Sequence, residues 1–400
     1  MELAEMFPEA PIYTLLYDEE KMGEWFPPER VRVSFLQKFP KFLRRRPKYL
    51  LPFLPIAPET FDLQEFGLVI SSSSAFAKGV VVRPKTIHIN YCHNPARFLW
   101  DYSFEYLKEQ NLGSWRKLIV KLMLNYLRLW DRAASQRVDY FVANSKATAA
   151  RIKKQYRREA KVIYPPVRFS ETQFQKRKIF PSEENFTRQT SSLSAQGGTM
   201  PARPVESQMD LYGARRSERF ENCASSSLTK NDYFLIVSQL TPYKKIDVAI
   251  EAFNKLGLSL VIIGEGPQRK YLEKIAKENI EILGWQAEEI VKKYYQNCLA
   301  FIFPGEDDFG LAPIEAMSYG KPVLAYKAGG AEEFILPGIN GEFFETLTPE
   351  VLADGMRRLR ENLPRYSSLV IRKWAEKFSE ERFRQEMMEF IEKAGYNKSV

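Results

Sequence analysis

The sequence predicts two α/β domains, each built around a doubly wound parallel sheet. Short runs of β-branched and aromatic residues alternate with helical patterns through both halves of the 400-residue chain. The runs are apolar without interruption, which is typical of strands that helices cover on both faces. Between the halves, residues 169–230 lose this alternation and are rich in Ser, Thr, Gln, Gly and Pro. That composition is typical of a linker or a disordered insertion.

In the first half we expect five strands and one long helix. The strands lie at residues 12–16, 67–71, 86–91, 140–144 and 161–164. Between the third and the fourth, apolar residues recur at three- and four-residue spacing from Trp115 to Ala133. This pattern predicts a helix with one apolar stripe. Because Pro165-Pro166 then interrupts the pattern, we assign residues 1–168 to the first domain.

The second half repeats the alternation more regularly. Its strands are predicted at residues 233–238, 258–264, 280–284, 299–304 and 322–326. These strands and the helices between them give a second domain at residues 231–376. The segment 377–400 contains a last amphipathic helix, Glu380–Lys393, which can pack back on the first domain.

Composition excludes several classes of protein. With 44% apolar and 14% aromatic residues, the chain can bury packed cores and is not wholly disordered. The three cysteines are far apart and lack CxxC spacing, so we expect no disulfide framework, no zinc site and a reducing compartment. The acidic start MELAEMFPEAP lacks the apolar core of a signal peptide. No apolar run approaches the roughly 20 residues of a membrane span, so we expect a soluble or peripheral protein.

The positive charge is concentrated in the first half. Residues 1–168 contain 28 lysines and arginines against 17 aspartates and glutamates, a balance of +11, so the remainder carries −2 of the net +9. The basic residues cluster with aromatic ones in residues 38–49 and again in residues 116–132. Solvated helix faces are the simplest interpretation. The alternative is attachment to an anionic membrane surface, where each basic residue contributes about 1 kcal/mol.

Three loops that follow strands of the second domain are suited to phosphate. In SQLTPYKKID, Lys244 or Lys245 begins a helix, whose free N–H groups favour an anion. GEGPQ and KAGGAEEF carry glycines that permit tight turns and close approach of the backbone to a ligand. For any one of these loops, a solvated lysine or a turn without ligand is the alternative.

A fourth loop brings two carboxylates eight residues apart. Asp307 lies in the acidic loop after the strand at 299–304, and Glu315 lies in the helix that begins near Leu311. Each carboxylate can accept hydrogen bonds from sugar or ribose hydroxyls. A plain surface position for Glu315 is disfavoured, because its neighbours Ile314 and Ala316 are apolar. The four loops together predict a nucleotide-sugar as ligand.

Residues 231–345 resemble the donor domain of family-4 retaining glycosyltransferases, which have a GT-B fold of two Rossmann-like domains facing a cleft. The resemblance lies in VSQLTPYKKIDVAI, VIIGEGP, ILGWQ, FIFPGEDDFGLAPIEAMSYGKPVLA and GGAEEF. The first half is similar, more loosely, to bacterial mannosyltransferases that build O-antigen or exopolysaccharide repeats. There the matching segments are FPEAPIYTLLYD, YCHNPARFLWDY and ANSKATAARIKKQY.

The resemblance implies a role for each matching residue. Lys244 holds the donor diphosphate, Asp307 lies near the transferred sugar, and Glu315 lies at the donor ribose. Family members have Arg five residues before the lysine, where this chain has Gln239, and an amide cannot replace the charge-assisted contact of a guanidinium. Lys245 compensates in part. The other donor-binding positions are Gly264, Gly266, Trp285, Phe309, Gly310, Leu311, Gly329 and Gly330.

The two histidines of the chain receive different interpretations. His88 lies within a β-rich run and is expected in the core. His93 follows that strand, where the family commonly has a histidine that contacts the transferred sugar. The resemblance implies that His93 orients and polarises a sugar hydroxyl and is not a nucleophile. Arg97 and Asp101 are candidates for acceptor contacts.

The resemblance also implies an activity. We expect a retaining hexosyltransferase that moves mannose from GDP-mannose onto a lipid-linked or growing glycan, without a metal or other cofactor, in the cytoplasm at the inner face of an anionic membrane. Relatives open with a strand and a Gly-rich loop, whereas this chain begins inside the following helix, so we expect the first domain to lack its first strand. The alternative is therefore a catalytically impaired nucleotide-sugar-binding protein. Nucleic-acid binding through the basic half has no recognisable module behind it.

Overall fold

The structure of the chain, a computed structural model, describes residues 1–104, 107, 113–168 and 232–396. The insertion predicted at residues 169–230 lies outside the described residues. The described parts of 1–168 and 233–396 form one compact unit. Among the described residues, no helix is both long and apolar enough to cross a membrane.

Strands and helices alternate through the described residues, as expected for an α/β protein. The strands are β1 (Ile12–Thr14), β2 (Val31–Val33), β3 (Leu68–Ser73), β4 (Ile87–Cys92), β5 (Tyr140–Ala143), β6 (Ala160–Val162), β7 (Phe234–Val237), β8 (Leu260–Ile263), β9 (Ile280–Gly284), β10 (Phe301–Phe303), β11 (Val323–Tyr326) and β12 (Gly341–Phe344). The helices are α1 (Glu2–Met6), α2 (Glu19–Met22), α3 (Lys41–Arg44), α4 (Ser114–Gln136), α5 (Lys146–Tyr156), α6 (Ile246–Leu256), α7 (Arg269–Ile275), α8 (Glu288–Asn297), α9 (Leu311–Ser318), α10 (Ala331–Phe334), α11 (Pro349–Asn362), α12 (Ser368–Ala375) and α13 (Glu380–Lys393).

The first half forms parallel sheets. Strands β3, β4, β5 and β6 pair in sequence order, and β1 pairs with β2 in a separate two-stranded sheet. In the register of β3 and β4, Leu68 pairs with Ile87 and Ser73 pairs with Cys92, so the two strands end at the same level. Each strand predicted for this half is present. The pattern missed β2, because three residues with a charge in the middle (VRV) give too short a signal.

The second sheet is parallel, six-stranded and doubly wound. Its order is β12-β11-β10-β7-β8-β9, so the strand order reverses between β7 and β10. Ligands of such sheets bind outside the carboxyl ends of the strands at the reversal. The five predicted strands are present, and the pattern missed β12, whose sequence GEFF is short and contains one glycine and one charge. The predicted class, an α/β fold with two parallel sheets, is confirmed.

Helix α6 shows how the second sheet is covered. Ile246, Ala249, Ile250 and Phe253 recur at helical spacing and are all fully buried against β7 and β8. The helix ends at Gly257, which has the left-handed φ of 64° that favours glycine at this position. Burial of one large aliphatic or aromatic side chain contributes about 1.5–3 kcal/mol, so this single face is a major part of the core.

The last helix, α13, packs on the first sheet. Phe383, Met387 and Ile391 are buried in one cluster with Ile89 and Tyr91 of β4. The rings of Tyr91 and Phe383 meet edge to face, with centroids 5.6 Å apart. The last helix therefore returns from the second half to the first, where its apolar side packs on the first sheet and on Leu3 and Met6 of α1.

Helix α4 turns a different face to the core than its sequence pattern suggests. Leu124, Leu127 and Ala134 are buried, whereas the predicted stripe from Trp115 to Ala133 lies largely in solvent. Six residues of that stripe are more than half exposed, namely Trp115, Leu118, Ile119, Leu122, Tyr126 and Leu129. The helix thus carries two apolar faces, and both satisfy the same three- and four-residue spacing.

A buried ion pair anchors α4 to the rest of the first half. Lys78 Nζ contacts Asp131 Oδ1, and both side chains are almost completely buried. The other carboxylate oxygen of Asp131 accepts hydrogen bonds from Trp100 Nε1 and from the Tyr156 hydroxyl, both at 2.8 Å. Because each polar group of the cluster has a partner, the cost of desolvating the two charges is offset locally.

Candidate active site

The centre of the candidate site lies where the order of the second sheet reverses. The loops after β7 and β10 approach so closely that a Cβ on Gly305 would lie 2.7 Å from the Lys244 Cα. Lys244 Nζ lies 2.5 Å from Asp307 Oδ2, and the exposed fractions of the two side chains are only 13% and 26%. Two residues singled out in the sequence therefore form one ion pair in the crevice expected to bind ligand.

The glycine turn after β11 supports the loop that carries Asp307. The Gly330 amide donates to the Asp307 carbonyl oxygen at 2.9 Å. Gly329 has a left-handed φ of 61°, and a Cβ there would lie 2.3 Å from the same carbonyl oxygen. In this structure the Gly330 amide therefore has a backbone partner and is not free to bind a phosphate. The two glycines instead allow the turn to pack against the 306–309 loop.

Glu315 lies in α9 and is held by a residue that the sequence did not indicate. The hydroxyl of Tyr295, in α8, donates to Glu315 Oε2 at 2.9 Å. Tyr295 is buried and stacks on Tyr319, with ring centroids 5.7 Å apart. Burial raises the pKa of the Glu315 carboxyl, which the Tyr295 hydroxyl partly opposes. The tyrosine uses one carboxylate oxygen and leaves the other for a ligand hydroxyl.

The first half places His93 directly after β4. Its Nε2 lies 2.9 Å from the hydroxyl of Ser72 in β3, a partner that the sequence did not indicate. Burial lowers the pKa of His93, so the imidazole is neutral at pH 7 and can exchange hydrogen bonds with hydroxyls. His88 is fully buried as expected, with Nε2 2.8 Å from the Ser71 hydroxyl, and burial lowers the pKa of His88 to about 4.

An arginine of α5 links the first half to the acidic loop. Arg151 donates to Asp308 Oδ1 at 2.6 Å and to Glu306 Oε1 at 2.7 Å, and its Nε lies 3.0 Å from Asp101 Oδ2. Arg97 is farther from the same two loop carboxylates, at 3.8 and 3.9 Å. Arg97 and Asp101, which we expected to contact the acceptor, therefore belong to this ion cluster in the structure.

The ion cluster includes a buried carboxylate. Asn94 Nδ2 donates to Asp308 Oδ1 at 2.6 Å. Burial raises the pKa of Asp308, while the charges of Arg97 and Arg151 oppose that rise. The two arginines and the amide thus supply the polar contacts that a buried carboxylate needs.

A second carboxylate joins the halves on the other side of the loop. Glu333 in α10 accepts hydrogen bonds from the Lys146 and Ala147 amides at 2.8 and 3.0 Å. These are free N–H groups in the first turn of α5, where a negative charge is favoured. Close by, the buried ring of Phe309 stacks on Tyr164 with centroids 5.5 Å apart. Phe309 therefore packs in an apolar contact between the two halves.

The remaining predicted positions surround this centre. Gly264 and Gly266 bring the turn after β8 against the loop after β7, since a Cβ on Gly264 would lie 1.8 Å from the Ser238 carbonyl oxygen. Lys245 has a left-handed φ of 52°, and Gly310 has a φ of 92° before α9. The side chains with open surface for a ligand are Gln239, Leu311 and, with 75% of its surface exposed, Trp285.

Within the described residues, no group of three or more His, Cys, Asp and Glu side chains is arranged to hold a metal ion. The groups that the described residues bring to the site are one lysine, several carboxylates and an imidazole.

Removing the charge of Arg151 is expected to destabilise the chain. Arg151→Ala leaves Glu306 and Asp308 without their shortest cationic contacts, and we expect the free energy of unfolding to fall by about 1–3 kcal/mol. Arg151→Lys keeps the positive charge but loses the planar guanidinium, so we expect it to restore only part of the lost free energy of unfolding. Chemical denaturation measures the difference.

The matched control is Arg357→Ala, because Arg357 likewise contacts more than one carboxylate, Asp354 and Glu361, but on the exposed surface of α11. A change within about 0.5 kcal/mol is expected there. Equal losses for Arg151→Ala and Arg357→Ala would show that the cluster does not stabilise the junction.

Comparison with known protein families finds sequence similarity in the second half of the chain. Residues 218–373 match the family model described as Glycosyl transferases group 1. An uncharacterized glycosyltransferase of Methanocaldococcus jannaschii is 26% identical over 167 residues, which are 40% of this chain and 48% of the relative. A GDP-mannose-dependent alpha-mannosyltransferase of Corynebacterium glutamicum is 32% identical over 118 residues, 28% of each chain. The chain thus spans about half the length of these curated relatives, or less.

Solved structures resemble the whole chain. A sucrose-phosphate synthase from Thermosynechococcus elongatus has a TM-score of 0.59 at 14% identity, covering 91% of this chain and 83% of that one. A glycosyltransferase from Rickettsia africae has a TM-score of 0.56 at 15% identity, covering 99% and 93%. With the two parallel sheets, these likenesses establish the GT-B fold predicted from the sequence.

Proposed function

We propose that this chain, whose second half carries a glycosyl transferases group 1 domain, transfers a hexose from a nucleotide-sugar with retention of anomeric configuration. The observation that carries the proposal is the pairing of Lys244 with Asp307 at the reversal of the sheet. A lysine there faces the leaving diphosphate, and carboxylates beside it face hydroxyls of the sugar and the ribose. Metabolites with both features are nucleotide-sugars.

In the proposed reaction, each group has one task. As the bond between the anomeric carbon and the diphosphate breaks, negative charge develops on the leaving oxygen, and Lys244 stabilises it. Asp307, released from the lysine, accepts from the transferred sugar, and the free oxygen of Glu315 accepts from the ribose. Neutral His93, held by Ser72, orients a sugar hydroxyl. An acceptor hydroxyl attacks from the face the diphosphate leaves, and its proton passes to the departing phosphate oxygen.

Mannose from GDP-mannose is the donor that we propose first. Two relatives support it: the mannosyltransferase of Corynebacterium glutamicum and an O-antigen chain mannosyltransferase of Escherichia coli, 23% identical over 160 residues. The proposed acceptor is a lipid-linked or growing glycan, bound beside the basic first half. We propose that the reaction needs no metal, because a lysine supplies the positive charge. The proposed location is the cytoplasm, peripheral to the inner face of the membrane.

Donor binding and turnover test this proposal separately. The protein is incubated with GDP-mannose, UDP-glucose or ADP-glucose, and the unfolding temperature and nucleoside diphosphate release are measured with and without EDTA. We expect GDP-mannose to raise the unfolding temperature and to release GDP at a rate that EDTA does not change. Protection without release would favour the alternative, a catalytically impaired nucleotide-sugar-binding protein. Neither protection nor release with any donor would contradict both.

A further inference from the structure

The solvent-facing side of α4 is an unusual surface for a water-exposed helix. Six large apolar or aromatic side chains lie on it with more than half of their surface exposed: Trp115, Leu118, Ile119, Leu122, Tyr126 and Leu129. Single exposed apolar residues are common on soluble proteins, but contiguous groups of this size mark interaction sites. We call this side of the helix the α4 surface.

The helix that carries the α4 surface is also strongly basic, and four of its cations lie along one flank of that surface. The helix carries five cationic side chains, Arg116, Lys117, Lys121, Arg128 and Arg132. The only acidic residue of the helix is Asp131, which is buried and paired with Lys78. Glu59, an exposed acid, pairs with Arg137 directly after the end of the helix. The exposed part of the helix therefore combines apolar side chains with cations, and the described residues form no ion pair with Arg116, Lys117, Lys121, Arg128 or Arg132.

The α4 surface continues onto the segment that precedes β3. Pro52 lines an open apolar groove of about 350 Å³ together with Ile119, Leu122, Met123 and Tyr126. Phe42, Tyr49 and Phe53 of the same segment are exposed as well. Residues 41–48 add five more basic side chains, of which Lys41 pairs with Glu20.

The other end of the α4 surface is a basic depression. A cavity of about 410 Å³ is lined by Arg128 and Arg132 of α4 and by Lys154 and Arg157 at the end of α5. Asn125 and Leu129 of α4 also line the depression, and Asn125 is the neighbour in sequence of Tyr126, which lines the apolar groove. An apolar groove thus lies directly beside a pocket for negative charge.

We propose that the α4 surface docks on a lipid bilayer that contains anionic phospholipid. Apolar and aromatic side chains enter the boundary between headgroups and acyl chains, and the surrounding lysines and arginines lie at the level of the phosphates. Charge complementarity selects this occupant: a second copy of the chain, docked by the same surface, would bring five cations against five. The inference rests on the proposed location at a membrane and adds which surface of the chain binds the lipid; vesicle binding and donor turnover are measured separately, so either can fail without the other.

Co-sedimentation of the full chain with vesicles tests the proposal. The vesicles are made of phosphatidylcholine alone or with 30% phosphatidylglycerol. Lys117→Gln/Lys121→Gln removes two charges of the α4 surface, and Leu122→Ser/Leu129→Ser removes two apolar side chains. All four are exposed or partly exposed, so the thermal unfolding temperature serves as a check on folding. Matched controls are Lys270→Gln/Lys274→Gln on α7, which makes the same charge change elsewhere, and Leu369→Ser, whose side chain is 60% exposed.

We expect salt-sensitive binding to the anionic vesicles, at least tenfold weaker for each α4 variant and unchanged for both controls. Equal binding of the α4 variants and the controls would overturn the proposal, as would binding to neutral vesicles that matches binding to anionic ones. Light scattering identifies the competing occupant: if the native chain is a dimer and Leu122→Ser/Leu129→Ser is a monomer, the α4 surface is an interface between copies and the proposal fails.

Discussion

Lys244→Ala is expected to lower kcat/KM for the nucleotide-sugar donor by about 10²–10³. Lys244 is the cation at the reversal of the second sheet, and its amine lies 2.5 Å from the Asp307 carboxylate. Its alkyl chain is largely buried, so the ammonium group acts in a partly desolvated crevice, where a fixed charge stabilises a leaving diphosphate more than it does in water. Removing one such group from an active site typically costs two to three orders of magnitude. Steady-state kinetics of nucleoside diphosphate release measure the loss.

The adjacent lysine provides the matched control. Lys245 lies one residue farther on, at the start of α6, and among the described residues its side chain makes no ion pair. We expect Lys245→Ala to lower kcat/KM by less than tenfold. Lys244→Met, which keeps the length of the side chain and loses the charge, is expected to behave like Lys244→Ala. Equal effects of Lys244→Ala and Lys245→Ala would show that the donor is not bound at the Lys244–Asp307 pair.

Asp131→Ala is expected to lower the free energy of unfolding by about 3–5 kcal/mol. The substitution leaves the Lys78 ammonium group buried without its counterion, and it removes the acceptor of Trp100 Nε1 and the Tyr156 hydroxyl. Three buried donors would then have lost a partner, which is among the few changes that cost a protein this much stability. Urea denaturation at neutral pH measures the loss.

A double-mutant cycle separates the interaction energy of the Lys78–Asp131 pair from the other destabilising effects of each substitution. Lys78→Met removes the cation but leaves Asp131 with its two other hydrogen bonds, so we expect a smaller loss than for Asp131→Ala. If the two charges interact as the structure shows, Lys78→Met/Asp131→Ala is less destabilised than the sum of the single variants by at least about 1 kcal/mol. Additive effects would contradict the anchoring role that we assign to the pair.

The sheets were predictable from local pattern, but the orientation of α4 was not. Buried parallel strands are continuous apolar runs, so the strands around Ile262 and Ile302 stand out from their own sequence. Helix α4 has apolar residues at helical spacing on two faces, and periodicity does not say which face is buried. What decides is a distant partner: Asp131 is buried because Lys78 lies 53 residues away in the chain and reaches it.

In the candidate site, too, some residues were predictable from the sequence and others were not. Lys244, Asp307 and Glu315 follow strands of one sheet, so their convergence was predictable from the topology of parallel sheets. Their partners were not. Tyr295 lies 20 residues before Glu315, and Arg151 lies 155 residues before Glu306. No local pattern indicates contacts between residues so far apart in the chain. The sequence alone therefore does not show that Arg97 and Asp101, which we expect at the acceptor, lie in the ion cluster of Arg151.

The proposed reaction transfers the sugar with retention of anomeric configuration. The anomeric form of the released sugar tests this retention most directly. In GDP-mannose the mannose is α-linked. Proton NMR spectra recorded at early times, with water as the acceptor, distinguish α- from β-mannose before the two forms equilibrate. We predict that α-mannose appears first and that Lys244→Ala slows its release by about 10²–10³. Initial release of β-mannose would show inversion and would contradict the proposed reaction.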